Sequence, residues 1–133
     1  PARVYCMTGD GESEEGQVWE AAMFASHYKL DNLTLFLDFN CLQIDGDIRK
    51  VLNPTPFDEK YKAFGWHTIV IDGHNFEEIE KAVAEAEQTK GMPTAIICRT
   101  IKGKGVSYME NVADWHGKAP NEELYKIAKA ELA

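Results

Sequence analysis

No apolar run in these 133 residues approaches the length needed to cross a bilayer, and no basic start followed by an apolar block reads as an export signal. Positive charge is also scarce: 14 lysines and arginines stand against 22 acids, a formal net charge of -8. A broad electropositive surface for nucleic acid or anionic lipid is therefore not expected, and any phosphate must be met locally. Cysteine is sparse too. Cys6, Cys41 and Cys98 lie far apart without CxxC spacing, and two of them sit in apolar strand-like runs, so a reduced, cytoplasmic setting with thiols packed as small hydrophobes is expected. No base stands beside any of the three, which disfavours a nucleophilic cysteine. Repeats and low-complexity tracts are lacking.

What is present is ordinary globular material, with 44% hydrophobic and 27% charged residues in a length that suits one domain. Val4 to Thr8 reads as a buried strand entering the turn Gly9-Asp10-Gly11. Val18, Ala21, Ala22, Ala25 and Tyr28 recur at helical spacing between Gln17 and Lys29. Leu33 to Leu37 is a second strand, closed by Asp38-Phe39-Asn40, and the stretch from there through Asn53-Pro54-Thr55-Pro56 is expected to be irregular. A short helix over 57–64 stops at Gly65. A strand over 68–71, an amphipathic helix over 76–89 with Ile79, Val83 and Ala86 on one face, and a strand over 94–100 follow. A glycine-punctuated loop leads to a last helix from about Asn121, with Leu124, Ile127, Ala128 and Leu132 inward. Strands rich in Val, Ile and Leu alternating with helices predict a three-layer α/β/α fold with a mostly parallel sheet and right-handed crossovers. Ligands of such sheets gather beyond the carboxyl ends of the strands, where Gly9-Asp10-Gly11, Asp38-Phe39-Asn40, Asp72-Gly73 and Lys102-Gly103-Lys104-Gly105 all fall.

Glycines on both sides of Asp10 let the backbone turn sharply while the carboxylate points into the crevice. Asn40 stands at the end of the next strand. If the two strands are neighbours, an acid and an amide oxygen meet at one rim. With a backbone carbonyl and phosphate oxygens they would complete the oxygen-only shell that magnesium requires. A glycine-bracketed aspartate alone is weak, because these residues are common turn formers; its separation from Asn40 carries more information.

That strand, GDG, helix, strand, Asn arrangement is the signature of thiamine diphosphate enzymes. The blocks GDGESEEGQVWEAAMFASHYKLDNLTLFLDFNCLQIDG and TIKGKGVSYMENVADWHGKAP closely resemble the transketolase family, and the likeness runs through nearly the whole chain. The resemblance implies a thiamine diphosphate-binding fold, of which this chain is the latter portion of the diphosphate-binding domain, present here in part. It implies Mg2+ or Ca2+ held by Asp10, Asn40 and the carbonyl of Leu42, with Gly9 and the Gly11 amide near the diphosphate and Ile44 against the thiazolium ring. Lys102 and His116 match residues reaching the diphosphate and the substrate end of the channel, so His116 is a catalytic candidate. Glu15 and Glu20 match acids at the subunit interface that link two active sites, so both are catalytic candidates as well, with Glu15 also at the cofactor. Glu12 and Glu14 are expected to be solvated residues favoured by the helix dipole.

Blander roles compete with these. Asn40 would serve to stabilise a turn, Lys102 and Lys104 would form a solvated pair (the preferred reading for Lys104), and His116 would pack beside Trp115. His27, His67 and His74 are left as structural, and Trp19 as core or interface. Two departures from the family stand at the ligand loop: Phe39 where a polar or basic residue is common, and Cys41 where glycine is frequent. Larger is the expectation of incompleteness. The family pattern includes a long segment upstream of GDG with further histidines, and a pyrimidine-binding domain or subunit with the glutamate that activates the aminopyrimidine. A split, truncated or cleaved transketolase component acting on sugar phosphates, self-associating and working with those partners, is the leading reading. A non-catalytic remnant that keeps the fold, or part of a related synthase, is the alternative.

Overall fold

The computed structural model describes residues 2–133, so the start at Pro1 lies outside the described residues. Strands β1 (Val4–Gly9), β2 (Leu33–Phe39), β5 (His67–Asp72) and β6 (Thr94–Arg99) form one wholly parallel sheet in the order β1-β2-β6-β5. Register pairs Val4 with Leu33 and Gly9 with Asp38, so the tips of β1 and β2 end level. The pairing of Thr34 with Thr94 brings β6 alongside, with Phe39 opposite Arg99. The continuous Val, Ile and Leu runs are long enough for strands and are covered on both sides where they are central, as Leu35, Leu37, Ile96 and Ile97 show.

One face packs under α1 (Gly16–His27) and α3 (Phe57–Ala63), with Ala22, Ala25, Phe57, Tyr61 and Trp66 against Leu35, Leu37, Ala95 and Ile97. The opposite face packs under α4 (Phe76–Gln88), whose Ala82 and Ala86 meet Ile71, Ile96 and Cys98. Asn75 caps α4 by accepting from the amides of Glu77 and Glu78. The α/β, mostly parallel arrangement expected from the alternation is what the chain adopts.

Four local expectations fail. The segment after Asn40 is not irregular: β3 (Leu42–Gln43) and β4 (Gly46–Asp47) form a small antiparallel hairpin, followed by α2 (Ile48–Val51), where Asp47 accepts from the Arg49 amide. β1 is an edge strand rather than a buried one, with Met7 72% exposed and Cys6 at the surface. On α1 the inward residues are Ala22 and Ala25, while Tyr28, just past its end, is exposed and lies tilted against Phe24 at the surface. The last helix, α5 (Glu122–Glu131), buries none of its residues and leaves Ile127 and Leu132 exposed. It clasps the preceding loop through Tyr108 Oη donating to the Leu124 carbonyl and Ser107 donating to Glu131. Among the described residues no helix is long and apolar enough to cross a membrane.

Candidate functional site

Where β1 and β2 end side by side, the chain turns at Gly9-Asp10-Gly11 and at Asn40-Cys41-Leu42. The Asp10 amide donates to the Asp38 carbonyl across the two tips. Beyond them opens a cavity of about 600 Å3, lined also by Lys102 and His116 from the loop after β6. Gly9, Asp10, Gly11, Glu15, Asn40, Leu42, Ile44, Lys102 and His116 all line it. The strand register and the β3–β4 hairpin bring together residues drawn from across the chain. Glu20 does not join them and lies exposed on α1.

Asp10 is 1% exposed, and its carboxylate is held by two backbone donors: the Gly11 amide at 2.8 Å to Oδ1 and the Cys41 amide at 2.5 Å to Oδ2. Burial raises its pKa above the ordinary aspartate value. The two amide bonds oppose that rise, and the neighbouring Asp38 charge adds to it. An ionised carboxylate offers about four lone-pair sites, so two remain after the amides are served. Asn40 Oδ1 accepts from the Leu42 amide at 2.9 Å and keeps one lone pair.

Cys41 lies at φ 66, the left-handed region, and so makes the sharp turn itself at the position where a glycine would make it without strain. That turn presents its amide to Asp10, so this departure leaves the loop's geometry intact. Burial raises the Cys41 thiol, with Asp10 adding to the effect, and burial pushes Cys98 up to about 11; both thiols are poor nucleophiles.

The donor set fits a hard divalent cation. One carboxylate, one amide oxygen and one backbone carbonyl are oxygen ligands suited to magnesium or calcium, and no cluster of three His, Cys, Asp or Glu gathers among the described residues for a softer metal. A Cβ at Gly11 would stand 2.8 Å from Gln43 Cβ, so only glycine lets the turn nest against the hairpin. In the same cavity Lys102 Nζ lies 3.2 Å from His116 Nδ1. With the ammonium donating, a neutral His116 carries its proton on Nε2.

Residues 2–133 match the family model described as transketolase, thiamine diphosphate binding domain. The chain belongs to the transketolase family. It is 48% identical over 132 residues to the 6-deoxy-6-sulfo-D-fructose transketolase subunit SqwG of Clostridium sp. (strain MSTE9), covering 99% of this chain and 48% of that one. It is 48% identical over 116 residues to the transketolase of Homo sapiens, covering 87% of this chain and 18% of that one. The crystal structure of transketolase from Campylobacter jejuni superposes with a TM-score of 0.90 at 36% identity, over 98% of this chain and 20% of that one. The chain thus spans about half or less of the length of these relatives.

Several neighbours of the site escaped the sequence reading. Glu12 and Glu14 are not simply solvated: Glu12 accepts from the Gly9 amide at 2.7 Å, and Glu14 accepts from Gln43 Nε2 at 2.9 Å, bracing the turn against the hairpin. Lys104 is exposed, in keeping with its solvated reading, with Glu110 at 3.9 Å. Trp19 belongs to the core, stacked on Phe64, while Trp115 packs on Tyr108 and leaves His116 to the cavity. His74 Nε2 accepts from the Ile101 amide at 2.8 Å, steadying the loop that carries Lys102. Asp38 also lines the cavity; only its place between a strand end and Asn40 marked it in sequence.

Proposed function

We propose that this chain is the latter portion of a transketolase diphosphate-binding domain and works in two-carbon ketol transfer from a ketose phosphate to an aldose phosphate. The observation that carries the reading is that Asp10, Asn40, Leu42, Lys102 and His116, drawn from three separate loops, line one cavity. Asp10, Asn40 and the Leu42 carbonyl would hold Mg2+ or Ca2+, and Lys102 would meet the diphosphate, while the Gly11 amide, expected near the diphosphate, is committed to Asp10 Oδ1 and braces that carboxylate instead. Ile44, 72% exposed at the cavity edge, is free to cover an apolar ring. When bound, thiamine diphosphate supplies the carbanion stabilisation that cleavage of a carbon-carbon bond needs. This chain's own work is to anchor and orient, with His116 placed to exchange a proton at Nε2 near the substrate end.

Glu15 and Glu20 serve a subunit interface, and self-association is expected. The chain's share of its relatives' length supports further partners: an upstream segment and a pyrimidine-binding domain or subunit. Its surroundings are cytoplasmic, where sugar phosphates are found. The test combines the chain, its partner, thiamine diphosphate, Mg2+, a ketose phosphate and an aldose phosphate, and follows a ketose phosphate two carbons longer than the aldose. Turnover that requires partner, cofactor and cation is expected. Turnover by the chain alone would refute the need for a partner, and none with the partner present would leave a non-catalytic module.

A further inference from the structure

We infer that Asp38 is a positioning residue, one that sets which end of the Asn40 amide faces the cavity and ties the Lys102 loop to the same point. The inference rests on Asn40 being a cation ligand. An asparagine presents an oxygen to a cation only if something fixes its flip, since its two ends are nearly equal in shape. Here two partners fix it independently. Asn40 Nδ2 donates to Asp38 Oδ2 at 3.2 Å, and the Leu42 amide donates to Asn40 Oδ1 at 2.9 Å. Rotating the amide by half a turn would set an oxygen against the Asp38 carboxylate and an NH2 group against the Leu42 N–H. Both contacts would turn repulsive, because an ionised carboxylate only accepts and a backbone amide only donates.

The other oxygen of Asp38 is engaged as well, accepting from Thr100 Oγ1 at the end of β6. Thr100 is anchored in turn by its amide donating to the Phe39 carbonyl at 3.1 Å, and it lies two residues before Lys102. The Asp38 main-chain carbonyl accepts from the Asp10 amide at 3.0 Å. One half-buried residue therefore touches the Asp10 turn, the Asn40 amide and the strand end leading to Lys102. Those three points would hold the cation and the diphosphate. Supporting contacts of this kind typically change metal affinity by about 10- to 100-fold when removed.

The test is a cycle of Asp38→Ala, Asn40→Ala and the double variant in the assembled protein, reading thiamine diphosphate affinity by calorimetry as Mg2+ is varied, with cofactor-free melting measured alongside. Asp38→Ala is expected to weaken affinity about tenfold or more. The double variant is expected to lose less than the sum of the two single losses, because part of the Asp38 effect passes through that amide. Asp38→Asn keeps an acceptor for Asn40, and its NH2 group can donate to Thr100 Oγ1 with the direction of that bond reversed, so it should rescue affinity to within about threefold. Additive losses in the double variant overturn the proposal, and so does an Asp38→Asn variant that melts normally yet binds as poorly as Asp38→Ala. Should alanine at 38 prevent folding, a tenfold loss in a well-folded Asp38→Asn protein overturns it alone. If Asn40→Ala leaves Mg2+-dependent affinity unchanged, the ligand assignment itself has failed.

Discussion

Replacing Asp10 by alanine tests the site at its most buried charge. The carboxylate is 1% exposed and accepts two backbone amides. Its removal strips those N–H groups of their acceptor, at about 1–3 kcal/mol for each left unsatisfied, while also removing a charge whose burial is unfavourable. The cation-free variant should therefore melt lower, but by an amount that says little about ligand binding. The informative quantity is the shift caused by ligand. Thiamine diphosphate with Mg2+ at a hundred times the dissociation constant stabilises the native state by about 2.7 kcal/mol, or roughly 10 °C in melting temperature for a chain of this size. A hundredfold weaker affinity leaves about 0.4 kcal/mol under the same conditions, a shift of about 2 °C. Calorimetric melting of the assembled protein with and without ligand reads both. A ligand-induced shift in Asp10→Ala equal to that of the wild type would refute the assignment of Asp10 to the cation.

Three further outcomes are expected. Because burial raises the Asp10 pKa above its unfolded value, the native state holds that proton more tightly; its stabilising contribution is full below about pH 4 and is lost as pH rises through the raised value. In cation-free urea unfolding, wild type should lose ground to Asp10→Ala as pH rises from about 4 toward neutrality, and a difference that stays flat across that range would contradict it. Gly11→Ala should cost about 1–3 kcal/mol, since a Cβ 2.8 Å from Gln43 Cβ forces the hairpin away from the turn; unchanged melting would show that the hairpin yields freely. Asn75→Ala removes the acceptor for the Glu77 and Glu78 amides at the start of α4 and should lower stability by about 1 kcal/mol in urea.

The strands and longer helices were legible because their signals are local. Runs such as Leu33–Leu37 carry enough apolar side chains to declare a strand, and Ile79 with Ala86 declares a helix face. What was hidden depends on neighbours. Val4 to Thr8 reads like any buried strand, yet its burial is set by what lies beyond the sheet edge, which no pattern inside the run encodes. The β3–β4 hairpin escaped because two-residue strands show no periodicity, even though Asp45-Gly46 is a hairpin turn signal. Asp10, Asn40, Lys102 and His116 came from spacing and resemblance, and their meeting at one cavity follows from the level ends of β1 and β2 beside β6. Asp38 could not be singled out, because an aspartate at a strand end is first a turn former. Its importance depends on the register that sets Phe39 opposite Arg99 and so brings Thr100 alongside.

Electrostatics explains why a chain of net charge -8 can still serve a diphosphate. Asp10, Glu12, Glu15 and Asp38 line the cavity, against a single lysine and one histidine. Presented alone, a diphosphate would meet more carboxylates than cations in a partly dehydrated space, where like charges repel more strongly than in water. The divalent ion proposed for this site would reverse the balance by making Asp10 a ligand instead of an unfavourable buried charge and giving the phosphate oxygens a partner. On that proposal the acids that make the site hostile to a free anion would favour an anion arriving with its metal. Cation and cofactor would then bind as a coupled pair, each raising the other's affinity by the same factor.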